Sequence, residues 1–347
     1  MAGFAAHPLT LAEAAPLLGP YLFQSESNAA PSAVLAVSGG PDSVALMRLA
    51  AGLRTLAPVG PMLVATVDHG LRPEARAEAE QVAAWAEAAG LAHRILTWAG
   101  VKPRTQVQEI ARNVRYDLLF GLAREVGASS VLTGHTLDDQ AETVLMRLTR
   151  GTGVAGLAGM RPRSALHGIT LVRPFLALRK ARLVATCRAE GWPFLDDPSN
   201  VDPRYARARL RRLMPLMERE GLTPERLATL AARARRAEDA HEVRITAVIE
   251  AAYVVTGEGR IEIDGAILRA EPDHIMLGVV TRAIASVAKA LTRPVRLDRF
   301  EARILGDLRD ALDRSEALRI TLGGALIDLR VGGRLILTPE PQRRRGR

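Results

Sequence analysis

A short run of small and polar residues, Ser38–Ser43 with the sequence Ser-Gly-Gly-Pro-Asp-Ser, constrains the fold of this chain more than any other segment. The apolar run Val34–Val37 precedes it and the amphipathic stretch Val44–Leu56 follows it, an order typical of a strand, a glycine turn and a helix. Adjacent glycines permit positive φ and let a ligand approach the main chain. Because N–H groups and the helix dipole favour an anion at a helix start, the turn predicts a phosphate-binding site.

The turn differs from the common phosphate loop because no Lys follows its glycines. Asp42 stands where that loop would carry positive charge, and a carboxylate beside bound phosphates is consistent with Mg²⁺ between them. The same residues also suit an ordinary strand-to-helix turn, since Gly-Pro-Asp favours turns and Asp and Ser cap helices. The hexapeptide favours nucleotide binding over that simpler interpretation without excluding it.

Apolar runs alternate with helix-like segments from residue 34 to about 150, which predicts an α/β fold with a doubly wound parallel sheet. The predicted strands are Val34–Val37, Met62–Val67, Ala92–Thr97 and Ser130–Thr133. The predicted helices are Ser43–Leu56, Arg76–Ala89, Val107–Val126 and Asp138–Arg150. One more strand and helix are expected at Ile169–Val172 and Arg179–Glu190. Ligands of such sheets bind at the carboxyl ends of the strands, so the loops there are the candidate site.

The second part of the chain predicts a helical linker segment and a small α+β domain. A long helix is expected over about 224–255, with further helices at about 273–291 and 297–312. The expected strands lie near 260–268, 317–322, 325–331 and 334–337. We expect a catalytic domain over residues 1–218, a helical plus α+β domain over 219–340 and a basic tail over 341–347.

The composition favours a nucleic-acid partner. Lys and Arg number 47 against 38 Asp and Glu, a formal net charge of +9, and all but three of the cations are Arg. Arg suits bidentate phosphate contacts and stacking on bases. The single cysteine, Cys187, permits neither an intrachain disulfide nor a cysteine zinc cluster. The sequence has no apolar run long enough for a membrane span and no basic leader, so we expect a cytoplasmic protein.

Two further loops at strand ends carry polar residues. In Asp68–Arg72, His69 suits contact with a base or ribose, although a plain turn is the simpler interpretation. Gly134–Thr143 is stronger, because Asp138 and Glu142 lie one helical turn apart on one face. The helix dipole explains part of this acidity, and a site for Mg²⁺ or for a substrate ammonium group explains it as well.

One helix carries a row of charges. Glu109, Arg112, Arg115 and Tyr116 are spaced three and four residues apart. A solvated face with ion pairs is the usual meaning of such a row. The alternative is a set of arginines for RNA phosphate or for a negatively charged transition state.

The Ser38–Ser43 turn resembles the pyrophosphate-binding loop of the N-type ATP pyrophosphatases, the PP-loop family, whose domain is of the adenine nucleotide alpha hydrolase type. A series of further motifs over residues 34–215 resembles the tRNA(Ile)-lysidine synthetase family within it. In chain order these motifs are Asp68–Arg72, Ala111–Tyr116, Gly134–Thr143, Arg147–Gly151, Arg173–Leu176 and Asp197–Asn200. The remainder of the chain is similar to that family only in being helical with a small α+β tail.

The resemblance implies a two-step ligation. ATP adenylates O2 of the wobble cytidine in the anticodon of isoleucine tRNA, and pyrophosphate leaves. The ε-amine of free L-lysine then attacks the activated carbon and displaces AMP, giving lysidine. ATP and Mg²⁺ are the implied cofactors, isoleucine tRNA and lysine the implied partners, and the 219–340 domain the implied tRNA-binding domain.

The resemblance also implies roles for individual residues. ATP would contact Ser38, Gly39, Gly40, Pro41, Asp42, Ser43, His69 and Gly134. Asp42 and Asp138 would hold Mg²⁺ and are the implied catalytic residues. Asp138 and Glu142 would bind the lysine ammonium group, and one of them would take its proton. The implied tRNA-binding residues are Arg112, Arg115, Arg204 and Arg207.

Three other classes of protein fit the sequence less well. PP-loop enzymes that thiolate tRNA need several cysteines, and Cys187 stands alone. Amidating members of the family, such as NAD or GMP synthetases, have no need of so many arginines. A non-catalytic RNA-binding protein explains the arginines but leaves Asp42, Asp138, Asp139 and Glu142 without a role.

Overall fold

The structure, a computed structural model, describes residues 6–23, 33–100, 102–103, 105, 107–166, 168–196, 204, 206–255, 259–288 and 297–341. The chain divides into two compact units, residues 1–235 and 236–347. The predicted domain boundary at residue 218 falls near the end of a helix inside the first unit and stays a prediction. Among the described residues, no helix combines the length and the apolar character that crossing a membrane requires.

The first unit contains a six-stranded sheet with the strand order β3-β2-β1-β4-β6-β5. Its strands are β1 (Ala33–Ala36), β2 (Met62–Asp68), β3 (Ala92–Thr97), β4 (Ser130–Thr133), β5 (Arg163–Leu166) and β6 (Ile169–Val172). The pairs along β3-β2-β1-β4-β6 are parallel, and β5 pairs antiparallel with β6 at the edge. The predicted parallel sheet is therefore confirmed. The edge strand was not predicted, because its residues are mostly exposed and lack an apolar run.

The helices of the first unit have the following bounds: α1 (Leu11–Leu22), α2 (Pro41–Gly52), α3 (Ala75–Ala88), α4 (Val107–Glu125), α5 (Leu137–Leu148), α6 (Val154–Leu157), α7 (Lys180–Ala189), α8 (Ala206–Arg219) and the long α9 (Pro224–Ala252), which continues into the second unit. Each predicted helix of this region is present to within a few residues.

Two apolar cores lie on opposite faces of the sheet. Along β1, Leu35 packs with residues of α1, α2, α3 and α7, whereas its neighbour Val34 packs with residues of α4. Successive residues of a strand point to opposite faces, so this alternation places helices on both sides. The doubly wound arrangement predicted from the sequence is confirmed.

Helix α1 is continuous although Pro16 and Pro20 lie inside it. Thr10 and Glu13 form a reciprocal capping box at its start. A fully buried stripe of Ala14, Leu18 and Leu22 then anchors the helix to the core, which outweighs the backbone hydrogen bonds lost at the prolines.

The second unit contains a five-stranded antiparallel sheet with the order β7-β8-β11-β10-β9. Its strands are β7 (Tyr253–Val255), β8 (Ile261–Asp264), β9 (Leu318–Leu322), β10 (Ala325–Leu329) and β11 (Arg334–Pro339). Its helices are α10 (Gly265–Arg269), α11 (Asp273–Val287), α12 (Leu297–Glu301) and α13 (Arg309–Arg314), with a π-helical stretch at Ala302–Leu308. The predicted α+β character is confirmed, although residues 265–269 are helical rather than part of a strand. The predicted basic tail at 342–347 lies outside the described residues.

Candidate active site at the carboxyl edge of the parallel sheet

The Ser38–Ser43 turn joins β1 to α2 at the carboxyl edge of the sheet. Gly40 occupies the N-cap of α2 without any side-chain capping bond, and Pro41 follows as the first helical residue. The hydroxyl of Ser43 fastens the turn, because its Oγ accepts a hydrogen bond from Ser38 N at 3.1 Å and lies 2.9 Å from the Gly40 carbonyl oxygen. Because the N-cap residue is a glycine, it has no side chain to cap the start of α2, and a helix start of this kind suits a bound anion.

Two glycines allow other segments to approach this turn. Gly39 has φ +89°, and a Cβ there would lie 2.6 Å from Leu195 Cδ1. A Cβ on Gly134, in the loop after β4, would lie 2.7 Å from the backbone oxygen of Asp42. The loop after β4 therefore contacts the phosphate-binding turn through its main chain, and the structure brings these two sequence motifs together.

Asp42 and Asp138 share a cationic neighbour in the residues that start α7. Lys180 Nζ donates to Asp42 Oδ2 at 2.7 Å, and Lys180 N donates to Asp138 Oδ2 at 2.6 Å. Asp138 Oδ1 also lies 3.6 Å from Arg179 Nε. Lys180 thus binds both carboxylates that the sequence singled out, Asp138 through its backbone N–H and Asp42 through its side chain.

The environment of Asp42 makes its ionisation unfavourable. Burial raises the pKa of its carboxyl group to about 6, and the charges of Asp139 and Asp138 act in the same direction while Lys180 opposes them. Its second oxygen, Oδ1, is buried and has no hydrogen-bond partner among the described residues. An unpartnered carboxylate oxygen on a residue that feels the charge of two other carboxylates is suited to accept a cation.

The other two acidic residues of α5 are already engaged. Asp139 accepts hydrogen bonds from the backbone N and the hydroxyl of Thr136 and so caps the helix. Glu142 forms a two-pronged ion pair with Arg211 of α8. Burial raises the pKa of Glu142, and Arg211 partly offsets that effect. The guanidinium group of Arg211 therefore pairs with the carboxylate that the family resemblance implied as a ligand of the lysine ammonium group.

A cluster of arginines surrounds Tyr116 on α4. The guanidinium carbons of Arg112 and Arg115 each lie 5.3 Å from the centre of its ring. Burial alone would raise the pKa of Tyr116, but the charges of Arg115, Arg112 and Arg173 outweigh burial and lower it. Burial also lowers the pKa of Arg112, and the charges of Arg115, Arg207 and Arg173 add to this effect. We call Arg112, Arg115, Arg173 and Arg207 the arginine cluster.

The arginine cluster lies beside the loop after β4. His135 Nδ1 lies 2.7 Å from the hydroxyl of Thr133. Burial and the charge of Arg115 hold the pKa of His135 well below its usual range, so the ring is neutral. Arg173, the first residue after β6, is buried and donates to the backbone oxygen of Arg161. The cluster thus combines residues from α4, α8 and the end of β6 at one edge of the sheet.

His69 follows β2 at the same edge. Its ring meets the Trp98 ring edge to face at a centroid distance of 6.4 Å, and Lys102 Nζ lies 4.1 Å from the Trp98 ring centre. Burial lowers the pKa of His69, and the charge of Arg115 contributes next. The neutral ring and the indole form an aromatic wall suited to a flat ligand such as a base.

Arg204 and Arg207 have different settings. Arg207 lies on α8, and its charge acts on both Arg112 and Glu142. Arg204 lies in the turn before α8, where its carbonyl oxygen accepts a hydrogen bond from Arg209. The predicted motif Asp197–Asn200 lies outside the described residues.

Hydrogen bonds connect the glycine-rich segment 151–159 to helix α5. The segment contains α6, and Arg147 donates to the carbonyl oxygens of Gly156 and Gly159. Gln140 of α5 exchanges two hydrogen bonds with the backbone of Met160 just after it. These bonds hold the segment against α5.

Several residues at this edge were not predicted from the sequence. Lys180, Arg211, Arg173 and Trp98 belong to this group. Arg173 offered a signal as part of the motif Arg173–Leu176, and Lys180 offered one because it is one of three lysines among many arginines and lies at the start of the helix predicted after β6. Arg211 had no such signal, since α8 contains several arginines.

Comparison with known proteins places the chain in a family. Residues 20–217 match the model of the PP-loop domain. The chain is 57% identical over 346 residues to a tRNA(Ile)-lysidine synthase of Methylobacterium sp. (strain 4-46), covering 98% of each protein. It is 47% identical over 361 residues to one of Bradyrhizobium sp. (strain BTAi1), covering 98% of this chain and 97% of that protein.

A solved structure supports the fold alone. The U34-tRNA thiolase NcsA from Methanococcus maripaludis matches with a TM-score of 0.53 at 16% identity, over 64% of this chain and 78% of that one. Its fold agrees with the α/β fold described above. Together with the full-length relatives, these matches show that the chain belongs to the PP-loop family and, within it, to the tRNA(Ile)-lysidine synthases.

Proposed function

We propose that this protein catalyses the ATP-dependent formation of lysidine on tRNA(Ile). The observation that carries the proposal is that Lys180 bonds to Asp138 and to Asp42 of the Ser38–Ser43 turn, which brings the turn and the start of α5 together at the carboxyl edge of the sheet. Such an edge is where doubly wound sheets bind nucleotides. The names of the full-length relatives supply the substrate class.

ATP would bind with its β- and γ-phosphates in the Ser38–Ser43 turn. Gly39, Gly40 and Pro41 leave the start of α2 open to a phosphate, and Ser38 and Ser43 offer hydroxyl groups. The aromatic wall of His69 and Trp98 stands at the same sheet edge for the adenine, with Gly134 allowing the close approach of the loop after β4. These residues would fix the α-phosphate opposite the wobble cytidine.

The residues present fit Mg²⁺. Asp42 and Asp138 supply the oxygen ligands that Mg²⁺ prefers, and Asp42 Oδ1 is buried without a partner among the described residues. When bound, Mg²⁺ would neutralise charge on the α-phosphate and on the leaving pyrophosphate. Lys180 forms an ion pair with Asp42, and its flexible side chain can turn from that carboxylate towards a phosphate.

In the first step, O2 of cytidine attacks the α-phosphate of ATP and pyrophosphate leaves. The arginine cluster would receive the RNA and the adenylated cytidine. Several guanidinium groups held close together repel one another, and a phosphate group relieves that repulsion. Arg204, in the turn before α8, would extend this surface along the RNA.

In the second step, Nε of free lysine attacks C2 of the cytidine and AMP leaves. Only a neutral amine is nucleophilic, so a carboxylate must take a proton from the ammonium group. Asp138 is partly exposed and bonded through one oxygen to a backbone N–H, so it can contact the ammonium directly. Glu142 is buried and paired with Arg211, so it would contribute negative charge to the same pocket.

The test is incorporation of labelled lysine into a tRNA(Ile) transcript with ATP and Mg²⁺. One control replaces lysine with labelled arginine, and a second replaces tRNA(Ile) with methionine tRNA. We expect labelling of tRNA(Ile) alone, and loss of labelling in Asp42→Asn and Asp138→Asn while tRNA binding persists. Asp117→Asn, an exposed aspartate on α4, is the matched control and keeps full activity. Binding of tRNA without any pyrophosphate release would instead favour a non-catalytic RNA-binding protein.

A further inference from the structure

Three potential metal ligands meet in the second unit, in a place that the proposed reaction does not use. Glu238 and His241 lie three residues apart on α9 and so share one face of that helix. His274 lies at the second position of α11. One donor atom of each residue falls within 4.8 Å of the other two. We propose that Glu238, His241 and His274 form a zinc-binding site that links α9 to α11.

The spacing of the donor atoms is close to that of a zinc site. Glu238 Oε2 lies 3.8 Å from His241 Nδ1 and 3.8 Å from His274 Nε2. Donor atoms about 2.0–2.1 Å from a tetrahedral metal ion lie about 3.4 Å from one another. Small rotations of the three side chains are therefore enough to close the site around an ion.

Two polar atoms of the cluster have no hydrogen-bond partner among the described residues. Glu238 Oε2 and His241 Nδ1 are both buried and form no hydrogen bond within the described parts of the chain. Their separation of 3.8 Å is too long for a hydrogen bond between them. Buried polar atoms without partners are rare in folded proteins, and a shared cation would satisfy both atoms at once.

Three neighbouring carboxylates pair with arginines, unlike Glu238. Glu242 pairs with Arg282, Glu271 pairs with Arg244, and Asp273 pairs with Arg309. Glu238 instead faces two imidazole rings, whose centroids are 4.3 Å apart. In a chain so rich in arginine, a carboxylate matched with two histidines indicates a ligand set rather than an ordinary ion pair.

The chemistry of the donors selects the metal. Two imidazole nitrogens and one carboxylate oxygen suit Zn²⁺, whereas Mg²⁺ prefers oxygen ligands alone. Three protein ligands leave a fourth position for water. A Glu-x-x-His pair on one helix with a histidine from a second helix would join α9 and α11 of this unit through the ion.

The test uses the full-length protein without a histidine tag, freed of metal with a chelator. We expect titration calorimetry with Zn²⁺ to show one saturable site, and Co²⁺ to give the intense visible absorption of a four-coordinate ion. His274→Asn and Glu238→Gln should each weaken Zn²⁺ binding by at least about tenfold. His7→Asn, an exposed histidine outside the cluster, is the matched control and should bind as the parent does.

A second measurement separates binding from folding defects. Zn²⁺ should raise the unfolding temperature of the parent and of His7→Asn, and leave that of His274→Asn unchanged. Absence of a saturable Zn²⁺ site in the parent protein would overturn the proposal. Equal Zn²⁺ affinity in the parent and in both ligand variants would overturn it as well.

Discussion

Replacing Arg211 with methionine would leave a buried carboxylate without its partner. The Glu142 side chain is only 4% exposed, and Arg211 holds both of its oxygens from α8. Methionine keeps a similar length and packs against apolar neighbours, so the variant removes mainly the charge. We expect the first unit to lose stability, and to lose more at neutral pH than at acidic pH.

The size of the stability loss depends on the cost of protonating Glu142 in the variant. A buried carboxylate without a counterion takes up a proton, and doing so from a usual pKa of about 4.3 costs about 3.7 kcal/mol at pH 7 and about 1 kcal/mol at pH 5. These values are ceilings, because the Arg211 side chain is 32% exposed and water can enter its place. We therefore expect a loss of about 2–3 kcal/mol at pH 7 and of less than about 1 kcal/mol at pH 5.

The stability of the Arg211→Met variant should depend on pH with a definite sign. Burial already raises the pKa of Glu142 in the folded state, and removing Arg211 raises it further. The folded variant then binds a proton that the unfolded chain has released, so its unfolding free energy falls as pH rises from 5 to 7. A loss that grew towards acidic pH would refute the idea that Glu142 is the group responsible.

The assay is thermal and urea unfolding of the parent and the variant at pH 5 and pH 7. The loss at pH 7 corresponds to a fall of about 5–10 °C in the unfolding temperature for a unit of this size. Arg76→Met, which breaks the exposed pair with Glu80, is the matched control and should change little. Adding Glu142→Met to Arg211→Met should restore most of the stability. Equal effects of Arg211→Met and Arg76→Met would show that the buried pair contributes no more than a surface one.

Three further outcomes are expected. Binding of ATP with Mg²⁺ should weaken as pH falls through about 6, because Asp42 takes up a proton there. The Asp42→Asn variant should bind weakly at every pH and show no such change, and fluorescence or calorimetric titration from pH 5 to 7.5 will measure both. Gly134→Ala should slow lysine incorporation at least about tenfold, because its Cβ would meet the Asp42 carbonyl, whereas Gly121→Ala, which meets nothing within 4 Å, should leave the rate unchanged. Arg112→Ala and Arg207→Ala should each weaken tRNA binding and reduce by about one the slope of log affinity against log salt concentration. Filter binding between 50 and 200 mM salt measures this slope, and an unchanged slope would mean that the RNA binds elsewhere.

The elements of the parallel sheet were predictable because their signals are local. The strands Ala92–Thr97, Ser130–Thr133 and Ile169–Val172 have the predicted bounds, since each is a short segment that contains apolar and β-branched residues and is followed or preceded by a turn. Helix α1 was missed for the opposite reason. Its prolines are a local signal against a helix, and burial of Ala14, Leu18 and Leu22 is a tertiary effect that overrides it.

The sequence predicted the motifs of the candidate site, but it did not predict which residues contact them. The Ser38–Ser43 turn and the Gly134–Thr143 loop could be read from the order of elements, because parallel strands bring their carboxyl ends to one edge. The partners of their charges come from distant parts of the chain. Lys180 reaches Asp42, and Arg211 reaches Glu142, only because α7 and α8 return to that edge.

The sequence by itself determined the alternation of strands and helices, the glycine turn between β1 and α2, and the carboxylates at the start of α5. These depend on residues that are neighbours along the chain, and local conformational preferences encode them. Only the tertiary structure decided which cation faces which carboxylate, that burial raises the pKa of Asp42 to about 6, and that Glu238 meets two histidines. Those properties depend on desolvation and on distances across the fold, and neither has a counterpart in the spacing of residues along the chain.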